Sequence, residues 1–175
     1  AEYRIGVTGT LPKGPQVDYS LCGLFGDIYK VISSKELMER KQLADLTVKC
    51  LVLKYSEEEC QYMKSADYKA EINYIVSNKE RNKFICNLAL SLEGNTIVFF
   101  NYVEKHGQVL YDMLLNRVKD GRKVFYIHGG TDVEEREQIR KILEQERNAI
   151  LVGSVGVLST GTNIVALDNV IFASP

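Results

Sequence analysis

The stretch GVLSTGTN, Gly156 to Asn163, comes closer to phosphate chemistry than any other part of this chain. It follows the apolar run ILVGS at 150–154. A Gly-rich turn after a buried strand is where α/β proteins receive phosphates and sugars. A triphosphate loop of the form G-x-x-x-x-G-K-[ST] needs glycines so that amides face the phosphates. It also needs a Lys for the terminal phosphates and a hydroxyl for magnesium. Gly156 and Gly161 keep the glycine spacing, but Thr162 stands at the Lys position and Asn163 at the hydroxyl position. Such a loop is not a primary triphosphate site. Two readings stay open: a chance match in a glycine-rich βα turn, or a loop that touches a ribose or phosphodiester through Ser159, Thr160 and Asn163.

Three other places carry residues suited to binding. His128-Gly129-Gly130 closes the apolar run KVFYIH, and a glycine pair there lets a ligand approach the backbone closely. The plainer account is a tight turn into a capped helix. Asn101 ends TIVFFN, where a polar side chain faces either the ligand crevice of a parallel sheet or the next helix as its N-cap. Thr8-Gly9-Thr10 places two hydroxyls and a glycine after YRIGVT. Covalent catalysis has little support: neither His106 nor His128 has a motif-like nucleophile nearby. Glu134 and Glu135 sit in the first turn of a helix, where the helix dipole accounts for them. Cys22, Cys50, Cys60 and Cys86 form no CxxC pair, which argues against zinc and for a reduced setting. Two of the four read as core.

These residues need strands to present them. Residues 96–101, 123–128, 150–154 and 169–174 are short apolar runs that read as buried strands. Between them lie helical patterns: residues 103–118, with apolar positions at Val109, Leu110, Met113, Leu114 and Val118, and a charged helix to about 147 opened by a TDVE capping box. Residues 68–76 and 79–92 read as two further helices, with Gly94 as the stop after the second. Strands alternating with helices predict an α/β domain with a parallel sheet. Before it, residues 3–8 and 46–55 read as strands, 21–29 as loop or short helix, 33–43 as a short helix and 56–66 as a polar linker. The expected division is therefore 1–65 and 66–175.

Composition sets outer bounds. Apolar residues make up 45% and charged residues 26%, ordinary for a globular domain, and the net charge of -1 gives no electrostatic support for a nucleic-acid partner. Backbone amides and hydroxyls can still grip a phosphodiester with few charges. No apolar run reaches the length of a membrane helix, the start AEYRIGVTG is no signal peptide, and the expected location is cytoplasmic.

Taken together and in order, these segments resemble a superfamily 2 DNA helicase. VTGTLPKG resembles motif III at the end of a first RecA-like domain. NTIVFFNYVEKHGQVLYDML resembles motif IV, which opens the second. FYIHGGTDVEEREQIRK resembles the following strand, His-Gly turn and helix, and ILVGSVGVLSTGTNIVALDNVIFAS resembles motif V. The stretch between motifs III and IV is similar to the connector of such enzymes, and the whole resembles phage UvsW-type helicases. The resemblance implies a RecA-like parallel sheet flanked by helices, the second helicase domain, preceded by the tail of a first RecA-like domain and a connector.

It also implies roles. Thr8, Gly9 and Thr10 would belong to the coupling motif. Asn101, Gly129 and Thr160 would lie along the DNA backbone, and Gly161 and Asn163 would approach the ATP ribose. Many relatives carry Asp at the last position, so Asn163 would keep a hydrogen bond without the charge. The chain shows no GKT-type Walker A, no DE-x-H box and no Q-x-x-G-R-x-x-R motif, the first two expected upstream and the last downstream. ATP and Mg²⁺ are thus expected in the full-length enzyme and not tightly bound here, and this chain is expected to be inactive alone. The implied partners, from an infected or bacterial cytoplasm, are branched or single-stranded DNA and the missing first RecA-like domain, with no membrane. A non-catalytic RecA-like module that binds DNA or protein is the alternative. A dinucleotide enzyme is disfavoured, because no G-x-G-x-x-G follows a strand.

Overall fold

Apolar residues at alternate positions of four short runs face two helix layers. The computed structural model shows those runs paired into one parallel sheet. It describes residues 3–9, 11, 14–119, 121–158 and 164–174. The chain falls into two units, Ala1–Val52 and Leu53–Pro175.

In the second unit the strands are β1 (Thr96–Phe100), β2 (Val124–Ile127), β3 (Ile150–Ser154) and β4 (Asn169–Phe172), in the order β2-β3-β1-β4. Register aligns Val98 with Val152 and Ile171, and Tyr126 with Val152. Because strand side chains alternate, that register puts Val98, Phe100, Ile150, Val152 and Ile171 on one face. There they pack under Ile85, Cys86 and Ala89 of α5 (Lys79–Ser91) and Leu110 and Leu114 of α6 (Gln108–Leu115). Ile97, Leu151 and Ile127 face the other way. They meet Ile139 and Leu143 of α7 (Val133–Gln145) and Leu158 of α8 (Val155–Leu158). The result is the α/β parallel sheet flanked by helices that the pattern predicts.

Helix starts follow their caps. Asn78 Oδ1 accepts the Arg81 N–H at 2.9 Å to open α5, and Asp67 Oδ1 accepts the Ala70 N–H at 2.7 Å to open α4 (Tyr68–Ser77). The expected polar linker at 56–66 contains helix α3 (Glu57–Met63). Its signal was a capping box: Ser56 Oγ accepts the Glu59 N–H and the Glu59 carboxylate accepts the Ser56 N–H. The TDVE box, by contrast, does not form. Asp132 makes no side-chain cap bond, and Thr131 Oγ1 instead accepts the His128 N–H at 3.0 Å, closing the turn before the helix.

The expected helix over residues 103–118 begins as a π-turn, Val103–Gly107, with the Gly107 N–H reaching back to the Tyr102 carbonyl at 2.8 Å. The wider turn brings His106 to full burial and sets Gly107 against the Phe100 ring. A Cβ at Gly107 would lie 2.5–2.7 Å from three Phe100 ring carbons, and Phe100 has no exposed surface into which to yield. Gly107→Ala should therefore destabilise the domain by about 2 kcal/mol in urea unfolding. A change within experimental error would show that the ring can move.

The first unit carries α1 (Pro15–Phe25) and α2 (Ser34–Glu39). Pro15 sits in the first turn of α1, whose preset φ explains a start earlier than 21. Residues 3–8 and 46–55 form no strand, although both look like one in sequence. A strand needs a hydrogen-bonding neighbour, and the described residues of the first unit, which holds 3–8 and 46–52, contain none. Ile5, Val7, Leu46 and Val48 are all exposed, and no described residue of Ala1–Val52 is buried.

Among the cysteines only Cys86 is buried, not two. Burial pushes its thiol up to about 11, so it packs as an inert core group. No helix among the described residues is long and apolar enough to cross a membrane.

Candidate nucleic-acid interface

Parallel strands bring their C-terminal ends to one edge, and β1 to β4 all end there. Phe100 pairs with Ser154, Ile127 with Gly153 and Phe99 with Phe172. The residues just beyond, Asn101, His128-Gly129-Gly130, Val155-Gly156 and Ala173-Ser174, form a crest along the sheet. With strands about 4.8 Å apart, Asn101 and His128 sit on the order of 10 Å from each other.

The glycine turn is held from inside. Arg136 donates from Nε to the Thr131 carbonyl at 2.8 Å and from Nη2 to the Gly129 carbonyl at 3.2 Å. The Gly130 N–H donates to His128 Nδ1 at 3.1 Å. The two glycines differ in surroundings. A Cβ on Gly130 would press on His128 Cε1 at 2.9 Å, whereas one on Gly129 meets nothing within 4 Å. Gly130 fits its own turn; Gly129 faces open space where another molecule's backbone can come close.

Behind Asn101 lies a chain of buried polar groups. The Asn101 N–H donates to Ser174 Oγ at 3.0 Å, and Ser174 Oγ lies 3.0 Å from His106 Nδ1. His106 Nε2 lies 3.1 Å from Asn82 Oδ1, and Asn82 Nδ2 donates to the Val76 carbonyl at 2.9 Å. Burial, reinforced by the nearby Arg81 guanidinium, lowers the His106 pKa to about 4, so the ring is neutral at pH 7. Its surroundings are those of a structural group rather than a general base.

Beside the crest, along the outer edge of β2, runs a groove of about 510 Å³ lined by Tyr111, Tyr126, His128, Thr131 and Glu135 among others. Tyr126 stacks on Tyr111 at 5.1 Å and on Phe100 at 5.6 Å, with His128 tilted against it at 5.1 Å. Among the described residues no group of three His, Cys, Asp or Glu side chains could hold a metal ion.

The structure thus places Asn101 and Gly129 on one sheet edge. Thr10, Thr160, Gly161 and Asn163 lie outside the described residues. Thr8 and Gly9 belong to the first unit, where a Cβ on Gly9 would meet nothing within 4 Å. Ser174, His106, Asn82 and Arg136 were not singled out in sequence as parts of the crest. The available signal was a histidine inside an apolar helical stripe and a Glu-Arg helix start beside a glycine pair.

The comparisons agree with this architecture. The family model for the helicase conserved C-terminal domain matches residues 79–175. Over 174 residues the chain is 32% identical to the ATP-dependent DNA helicase uvsW of Enterobacteria phage T4, covering 98% of this chain and 34% of that protein. The fold is similar to the crystal structure of T4 UvsW, with a TM-score of 0.60 and 32% identity over 69% of this chain and 24% of the other. The chain spans about a third of the length of the curated relative it matches.

Proposed function

Because the chain belongs to the helicase conserved C-terminal domain family, we propose that it is the second motor domain, with the connector leading into it, of an ATP-dependent DNA helicase or translocase. The crest carries the proposal: four strand ends meet at one edge, with an open backbone at Gly129. Such an edge suits a phosphodiester held by amides and hydroxyls. In the whole motor ATP and Mg²⁺ would bind between this domain and a first RecA-like domain that supplies the Walker residues. The residues assigned to the ribose, Gly161 and Asn163, lie outside the described residues. The exposed apolar side chains of the first unit, Ile5, Val7 and Val48 among them, fit a surface that such a domain covers. The work proposed for the intact protein is remodelling of branched DNA in recombination, repair or replication, in the cytoplasm of an infected or bacterial cell.

Gly129 provides the test. Its Cβ space is open, so Gly129→Asp should fold with unchanged stability while setting a negative charge where a phosphate would lie. Fluorescence anisotropy with single-stranded and forked oligonucleotides at low salt should show affinity about ten-fold weaker than for the parent chain. Equal affinity would remove the crest from the DNA path. ATP turnover is expected only when a chain bearing the Walker motifs is added. DNA binding with no DNA-stimulated turnover in that mixture would favour a binding module that is not a motor.

A further inference from the structure

The hydrogen-bond chain behind the crest has a direction that can be read atom by atom. Asn82 Nδ2 is committed to the Val76 carbonyl, so its Oδ1 faces His106 Nε2 and that nitrogen carries the ring proton. His106 Nδ1 is then an acceptor and takes the Ser174 hydroxyl proton. The Ser174 oxygen in turn accepts the Asn101 N–H. His106 can sit there because the π-turn Val103–Gly107 carries it inward, and such turns recur at functional sites.

Asn101 is exposed, and water could satisfy its N–H without any side chain. The bond to Ser174 is therefore not needed to rescue a buried donor. What it does is tie the end of β1 to the end of β4 and fix where the β1 backbone emerges. We propose that His106 and Ser174 are positioning residues that set the Asn101 backbone at the nucleic-acid crest. The role rests on the reading of that crest as a DNA interface. A chain of neutral donors and acceptors with one allowed direction suits it, because reversing any link leaves two donors or two acceptors facing each other.

The test uses this chain, its Ser174→Ala variant and its Ser174→Thr variant. Amide hydrogen exchange is read at Asn101 by NMR, and affinity for a labelled single-stranded oligonucleotide by anisotropy. Ser174→Ala removes the link at a half-buried position and leaves the buried His106 Nδ1 without its donor, so the thermal midpoint should fall by a few degrees at most, about 5 °C, while exchange at Asn101 rises about five-fold. Affinity should fall about three-fold, and Ser174→Thr, which restores the hydroxyl, should recover both readings. His106→Leu, which breaks the chain one link deeper, should raise exchange at Asn101 in the same way. Unchanged exchange in both broken-chain variants overturns the link. Faster exchange with unchanged affinity overturns the positioning role. If the parent chain itself binds no oligonucleotide at low salt, the DNA reading of the crest fails and this role with it, while the exchange arm still decides whether the hydrogen-bond chain exists.

Discussion

Replacing Asn95 by Ala should lower the stability of the Leu53–Pro175 unit by about 4 kcal/mol, the largest effect expected of any single polar substitution here. The Asn95 side chain is 1% exposed and bonds in four directions. Its Nδ2 lies 3.0 Å from the Leu143 carbonyl and 2.8 Å from the Glu146 and Ala166 carbonyls, sharing its two hydrogens among the three, and its Oδ1 accepts the Ala149 N–H at 2.9 Å. One amide thus closes the C-terminus of α7, the approach to β3 and the approach to β4. The Asn95 main chain adds to the knot. Its N–H donates to Asp168 Oδ2 at 2.8 Å, and its carbonyl accepts the N–H groups of Asp168 and Asn169 at 3.0 Å each. Alanine would strand a buried donor and several carbonyls where water has little room, and each orphan costs about 1–3 kcal/mol. For a unit of this size the thermal midpoint should drop by about 15 °C. Asn95→Asp should be at least as damaging despite its matching shape, since a carboxylate would face three carbonyl oxygens. A loss below about 1 kcal/mol for Asn95→Ala would mean that water or a shifted backbone replaces the side chain.

Asn95 marks where sequence reading reached and where it stopped. The four strands were visible because each is a short apolar run, and β1 and β3, central in the sheet, are apolar on both faces. Asn101 and Gly129 were visible because they follow directly on such runs. Asn95, beside Gly94, reads as an ordinary turn residue; its importance comes from Leu143, Ala149 and Ala166, which adjacency in sequence does not connect to it. The π-turn was hidden for another reason. Residues 104–108, EKHGQ, carry no apolar side chain to set a period, so the helical pattern that starts at Val109 reads back to Val103 without a visible break. In sequence His106 has no nucleophile beside it and reads as inert, yet its place is given by Asn82 and Ser174, which come from α5 and the end of β4. Residues 3–8 and 46–55 misled because an alternating pattern promises a strand only where a partner strand is at hand. Tyr3, Ile5 and Val7 alternate in the chain but all are exposed.

Acid should weaken this domain well before its carboxylates protonate, and His106 is the cause. In the unfolded chain its imidazole titrates at the ordinary 6.5, whereas in the fold burial and the adjacent Arg81 charge hold it at about 4. The groups facing the ring are Asn82 Oδ1 at Nε2, Ser174 Oγ at Nδ1 and the Arg81 guanidinium; none is an acid that could welcome a second ring proton. A folded-state pKa below the unfolded one means that only the unfolded chain binds the proton between those values. The stability is thus fully present above pH 6.5 and lost as pH falls toward 4, with a total of about 3 kcal/mol over that window. Glu59 and Glu137, whose hydrogen bonds hold their carboxyls below the usual range, begin to add losses only below about pH 4.5, so most of the His106 decline precedes theirs. Urea unfolding of the parent chain at pH 7, 5.5 and 4 should show the decline. His106→Gln keeps a donor toward Asn82 and an acceptor toward Ser174 but cannot titrate. It should start about 1 kcal/mol less stable at pH 7 and then stay nearly flat to pH 5. Parallel slopes for the two proteins would place the titrating group elsewhere. The same experiment bears on the crest: below about pH 5 a fraction of molecules would have His106 charged and Nδ1 turned from acceptor to donor, so the Ser174 hydroxyl must swing its proton away while its oxygen accepts from both the ring and the Asn101 N–H. Asn101 amide protection should therefore persist through this decline for as long as the sheet itself stands.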